Sequence, residues 1–167
     1  NVESKLFTKS TKKQTKKKDV SVDNKVRDAH KTPGDILFIV EGDSAMGTLK
    51  QVRDAKTQGI FPLKGKVLNV ETASLDKIKN NKEIQDLLEA IGTKDNRRYD
   101  KIKILCDADS DGHHIAVLTL LFLQKFADDY IQSNKVGIIL PPLYGAIKGK
   151  TFIPIYDHAE TVSYRQQ

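Results

Sequence analysis

Three apolar runs organise the chain. Ile36-Leu37-Phe38-Ile39-Val40 is continuous, as in a strand buried on both faces of a parallel sheet. Lys101-Ile102-Lys103-Ile104-Leu105-Cys106 and Val136 to Leu140 predict two further buried strands, the last halted by Pro141-Pro142. Helical spacing fills the gaps. Ser44 predicts an N-cap, with Ala45, Leu49 and Val52 following at i, i+4 and i+7. Asn81 predicts the cap of a helix with the stripe Ile84, Leu87, Leu88, Ile91, and Gly92 as its stop. A helix apolar almost all round is expected from about His114 to Ile131, covered on more than one side. Ile60-Phe61-Pro62-Leu63 is short and apolar, and runs into a Lys64-Gly65-Lys66 turn. Tyr144 to Ile155 reads as a hairpin turning at Lys148-Gly149-Lys150. Strand, helix, strand, helix, strand predicts an α/β fold, a parallel sheet with helices on both faces and a C-terminal hairpin.

Charge divides the chain. The 28 Lys+Arg exceed the 22 Asp+Glu by six. Residues 1–34 hold that whole surplus, with ten basic and four acidic side chains, and residues 35–167 are balanced. The division predicts a flexible basic leader over 1–34 and a folded domain over 35–167. The KKQTKKK run reads either as a solvated arm or as one that attracts a polyanion. A single cysteine excludes a disulfide framework and a thiolate zinc site, and points to a reducing, intracellular compartment. No apolar run reaches the roughly 18 residues of a membrane span.

The two best strands end in acids. Glu41 closes the first; Asp107, Asp109 and Asp111 follow the second. Ligands of an open parallel sheet gather at the carboxyl ends of its strands. Residues i and i+2 of extended chain point the same way, about 6.6 Å apart, so Asp107 and Asp109 can converge, with Glu41 facing them if the strands are neighbours. Carboxylates so placed repel unless a cation intervenes, and oxygen-only ligands favour a hard ion, Mg2+ first. The competing reading makes them ordinary turn and cap residues; one Asp alone favours that, whereas the set favours the ion.

Sharper motifs fail. Asp107-x-Asp109-x-Asp111-Gly112 begins like an EF-hand loop, but Leu118 stands at position twelve. Gly42-Asp43-Ser44-Ala45-Met46 imitates a nucleophile elbow whose second glycine is displaced to Gly47. No G-x-x-x-x-G-K-[ST] phosphate loop is present. Cys106 reads as core, and His113 and His114 as helix-start residues.

Taken in order and spacing, LFIVEGDSAMG, IFPLKGKVLNVE, KILCDADSDGHHI and ILPPLYGAIKGK resemble the Toprim domain of type IIA DNA topoisomerases, the gyrase B and topoisomerase IV B group, over about residues 36–150. The resemblance implies a Rossmann-like Toprim fold. Glu41, Asp107 and Asp109 match the Mg2+-binding acids (Mn2+ serving as substitute), Asp111 a supporting acid, and Glu41 also a catalytic part in proton transfer. Lys66 and Asn69 match DNA-approaching positions, with Lys64 beside them. The implied function is the metal module of an ATP-dependent topoisomerase, aiding double-strand cleavage and religation by a tyrosine from a separate region or subunit. Double-stranded DNA, that tyrosine-bearing partner and an ATPase domain are the implied partners, with ATP entering only through a domain absent from this chain. The implied setting is the cytoplasm of a bacterium or a phage-infected host, with no membrane.

Departures from the pattern are Met46 for a glycine, His113 for a serine and Ala116 for a basic residue. None of the five tyrosines lies in a cleavage motif, and Arg98-Tyr99 reads as structural. Lys25-Val26-Arg27-Asp28-Ala29 resembles the linker entering the domain. The expectation is a piece of a larger protein, inactive alone. Two rivals remain at this level: a free-standing Toprim nuclease or primase-like enzyme, which leaves PLKGK and PPLY unexplained, and a non-catalytic basic adaptor binding DNA through its leader.

Overall fold

In the computed structural model, which describes residues 26–65, 67–142 and 144–156, the apolar runs become one parallel sheet. Its strands are β1 (Gly34–Glu41), β2 (Gln58–Leu63), β5 (Tyr99–Leu105) and β6 (Val136–Ile139), ordered β2-β1-β5-β6. Ile39 lies beside Phe61 on one side and Ile104 on the other. Leu37, Ile39, Phe61, Leu63, Ile102 and Ile104 therefore share a face, and all are buried in the main core. Val40 and Ile60 alternate to the opposite face and are fully buried there as well.

Helix α1 (Gly42–Val52) packs against β1 and β2. Ser74 caps α2 (Leu75–Asn80), its hydroxyl accepting from Lys77 N. Asn81 caps α3 (Lys82–Ile91) as expected, its side-chain oxygen accepting from Ile84 N at 2.9 Å. The stripe Ile84, Leu87, Leu88, Ile91 is buried in the core, and Gly92 ends the helix. Helix α4 (Ser110–Phe126) adds Ile115, Phe122, Leu123 and Phe126 to that core. A small ribbon of β3 (Gly92–Thr93) and β4 (Asn96–Arg97) precedes β5. The hairpin of β7 (Tyr144–Lys148) and β8 (Thr151–Ile155) turns through Gly149-Lys150, with Lys148 opposite Thr151.

Four expectations are corrected. The first helix starts at Gly42 rather than after Ser44, and its apolar stripe is not fully buried, Val52 being 74% exposed. The helix packs against β1 and β2, and none of its residues is fully buried. The long helix expected to Ile131 breaks at Ala127, whose backbone leaves helical geometry (φ −149, ψ 43). Helix α5 (Asp128–Gln132) then restarts on two acids, favourable at a helix N-terminus. Asp129 there holds Arg97 at 2.5 Å. The third strand is not buried: β6 is the sheet edge, with Ile138 45% and Ile139 38% exposed.

The last correction concerns the leader. Residues from Val26 onward belong to the domain rather than to a leader reaching 34. Arg27 pairs antiparallel with Ile60. Arg53 Nη1 donates to Arg27 O at 2.8 Å. The Tyr99 hydroxyl donates to Asp28 Oδ1 at 3.0 Å and accepts from Ala29 N at 3.0 Å, and Arg98 pairs with Asp28 at 2.9 Å. These are polar, long-range ties that no apolar period announces. The remaining leader, residues 1–25, lies outside the described residues. Among the described residues no helix is long and apolar enough to cross a membrane.

Candidate functional site

The strand register builds the site. Glu41 lies opposite Leu63, and Val40 opposite Leu105, so the carboxyl ends of β2, β1 and β5 stand side by side. At those ends stand Lys64, just past β2, Glu41, the last residue of β1, and Asp107, two residues past β5. Glu41 Oε2 accepts a hydrogen bond from Asp107 N at 3.3 Å. The two strands are thus joined at their tips by the acids that the sequence singled out.

Beyond β5 the chain turns tightly into α4. Asp109 is the helix N-cap, its Oδ1 accepting from Gly112 N at 2.8 Å. His113 Nδ1 lies 2.5 Å from the Asp109 carbonyl oxygen, which ties the ring to the start of the helix. Asp111 stands exposed in the first helical turn. Gly112 is what permits so close a turn: a Cβ there would lie 2.2 Å from Asp107 O and 2.9 Å from Asp107 N.

Among the described residues, no three acidic, His or Cys side chains already gather as a metal cage. Carboxylates take the nearest N–H donors, and here Glu41 takes Asp107 N and Asp109 takes Gly112 N. Neither bond occupies both oxygens of its carboxylate. The donor set is all oxygen, as a hard divalent ion requires. The field is also right. Burial, then the negative charges of Glu41 and Asp107, push the Cys106 thiol up to about 11. Cys106 is therefore a neutral core residue under a negatively charged edge.

The basic side of the edge is ordered too. Lys64 is exposed, and its backbone N donates to Glu83 Oε1 at 2.7 Å. Asn69 is half-buried, with Oδ1 accepting from Glu71 N at 3.0 Å. Val67 and Val70 are buried on either side of it. Lys125 Nζ donates to Val70 O at 2.7 Å and lies 3.5 Å from Glu71. Lys66 lies outside the described residues. Sequence reasoning missed Glu83 and Lys125, and it read Gly112 only as part of the acidic motif, not for its close approach to Asp107. Glu83 carried only the signal of an acid in a first helical turn.

Residues 36–139 match the Toprim domain family. The chain is 41% identical to the DNA gyrase B subunit of Thermotoga maritima over 138 residues, 78% of this chain and 22% of that protein. It is 46% identical to the DNA gyrase B subunit of Staphylococcus aureus over 131 residues, 74% of this chain and 20% of that protein. Its fold is similar to the crystal structure of the Plasmodium falciparum topoisomerase II DNA-binding, cleavage and re-ligation domain, at TM-score 0.76 and 28% identity over 90% of this chain and 23% of that chain. The chain thus spans about a fifth of the length of these relatives. With its parallel sheet, its acids at adjoining strand tips and a match running through all four strands, the chain belongs to the Toprim domain family.

Proposed function

We propose that this chain is the Mg2+-binding module of an ATP-dependent type IIA DNA topoisomerase, acting in the cytoplasm. It would support cleavage and religation of double-stranded DNA by a tyrosine from a separate region or subunit. The observation that carries the reading is the pairing of Glu41 with Asp107 at the tips of adjacent strands, with Asp109 and Asp111 in the turn that follows. Glu41, Asp107 and Asp109 would hold the ion and Asp111 would support them. A bound divalent ion offsets charge that develops on phosphate oxygens during transfer. Glu41 would also take or return a proton at the sugar hydroxyl. Lys64 and Lys66 would hold the DNA backbone, a contact that positions without reading sequence. Asn69, with Oδ1 already committed to Glu71 N, would meet a phosphate through its amide N–H groups. ATP would be handled by another domain.

The test is Mn2+ titration of the chain and of Asp107→Ala, followed by cleavage assays with the tyrosine-bearing partner. Asp107→Ala should lose metal binding and cleavage together; equal Mn2+ binding would refute the site. Lys66→Glu should cripple cleavage while changing overall DNA affinity little. The chain alone should not nick DNA. Mg2+-dependent nicking by the chain alone, abolished by Glu41→Gln, would favour the nuclease reading instead.

A further inference from the structure

The turn after β2 is held from outside itself. Lys64 N donates to Glu83 Oε1 at 2.7 Å, across 19 residues of sequence. The next residue, Gly65, sits at φ +86, a backbone conformation that L side chains rarely adopt. A chain that bends so sharply right after a strand has few partners of its own, and Glu83 supplies one. An acid in the first turn of a helix ordinarily serves that helix's own N-terminus. Helix α3 already has its cap from Asn81, and its second residue reaches out to the turn instead.

The chemistry makes this placement unexpected for a merely electrostatic group. A carboxylate beside lysines that face a polyanion weakens the attraction they provide. A charge-assisted hydrogen bond to a backbone N–H, by contrast, fixes geometry strongly. The far end of the same loop is fixed as well, by buried Val67 and Val70 and by Lys125 on Val70 O. The loop is therefore anchored at both ends, and Glu83 is the anchor at the end beside Glu41.

We propose that Glu83 is a positioning residue: its carboxylate sets the Lys64 peptide so that the lysine-bearing turn presents along the edge where Glu41 and Asp107 stand. The inference rests on the DNA-facing reading of that turn given above. It is independent of the metal.

Two readouts separate the two ideas. In the full chain, amide hydrogen exchange across residues 60–70 reports the turn directly, with no DNA present. Loss of a hydrogen bond to a charged acceptor should speed exchange of the Lys64 amide about tenfold or more. Glu83→Ala should do this, and Glu83→Gln, which keeps an acceptor oxygen without the charge, should restore most of the protection. With the tyrosine-bearing partner, Glu83→Ala should lower the saturating cleavage rate several-fold and change overall DNA affinity little. Glu83→Gln should rescue that as well. Equal exchange in wild type and Glu83→Ala would overturn the proposal. So would faster exchange with an unchanged cleavage rate, if Lys64→Ala does lower that rate. If Lys64→Ala is silent as well, the DNA-facing reading of the turn falls and the positioning role falls with it.

Discussion

Gly112 and Asp107 are in backbone contact: a Cβ at residue 112 would lie 2.2 Å from the Asp107 carbonyl oxygen. Gly112→Ala must therefore push α4 away from the tip of β5. Replacing a glycine inside a helix with alanine ordinarily stabilises by about 0.5–1 kcal/mol. Here the expected sign is opposite, a loss of about 1–3 kcal/mol as in other overpacked sites. Urea unfolding measures it, and a variant more stable than wild type would show that the close approach is not needed. Mn2+ affinity should fall in parallel.

The Tyr99 hydroxyl serves two partners, and one is a buried backbone N–H. Tyr99→Phe leaves Ala29 N, in a 9% exposed residue, without its acceptor. The expected cost is about 1–3 kcal/mol. Arg98→Ala removes the partly exposed pair with Asp28 and an exposed hydrogen bond to Glu89 O, and should cost about 0–1 kcal/mol. Equal losses in the two variants would contradict this ranking.

Tyr99 and Tyr130 should ionise late. Burial raises both, Tyr130 to about 12, and for Tyr130 this outweighs the opposing charge of Arg97. The unfolded chain gives up these protons near the ordinary tyrosine value of 10.0, before the folded chain does. The unfolded state then binds fewer protons, so stability is full below about pH 10 and falls as pH rises towards about 12. Spectrophotometric titration at the tyrosinate band, with Tyr99→Phe and Tyr130→Phe to assign the signals, should show these two tyrosines lagging until the fold is lost. Ionisation of Tyr99 and Tyr130 at the ordinary pH would disprove the burial argument.

The basic leader should give affinity without function at the edge. Residues 1–25 carry eight lysines and three acids. Because Val26 onward is tied into the domain, truncation belongs at residue 25. Counterion release gives duplex binding a salt slope of about −0.9 per phosphate neutralised. Deleting residues 1–25 should flatten that slope and weaken duplex binding, yet spare cleavage in the reconstituted enzyme. Binding titrations across salt, with wild type and truncation giving the same slope, would exclude a role for the leader.

What is legible in the sequence is local. Asn81, the stripe Ile84 to Ile91 and Gly92 form a helix because cap, period and stop lie within twelve residues. The start of α4 reads four residues late because Asp109 looks like a metal acid, and its capping of Gly112 N depends on a turn not visible as a period. The exposure of β6 follows from its being the edge strand, a matter of sheet order rather than of the strand's own residues. The acids at the strand tips are legible by type and position. Their present partners are not, since the Glu41–Asp107 bond spans 66 residues and the Lys64–Glu83 bond spans 19.

The anchorage of Asp28 and Ala29 on Tyr99 has a mechanical side. Tyr99 begins β5, whose other end at Leu105 is about 20 Å away at about 3.3 Å per residue, and Asp107 lies two residues past that end. The strand between them is buried on its core face by Ile102 and Ile104, in a close-packed interior that yields little to strain. A displacement of the chain ahead of Val26 therefore arrives at the root of a stiff rod whose tip carries the acids. It is delivered there as a push or a tilt, with little slack to absorb it.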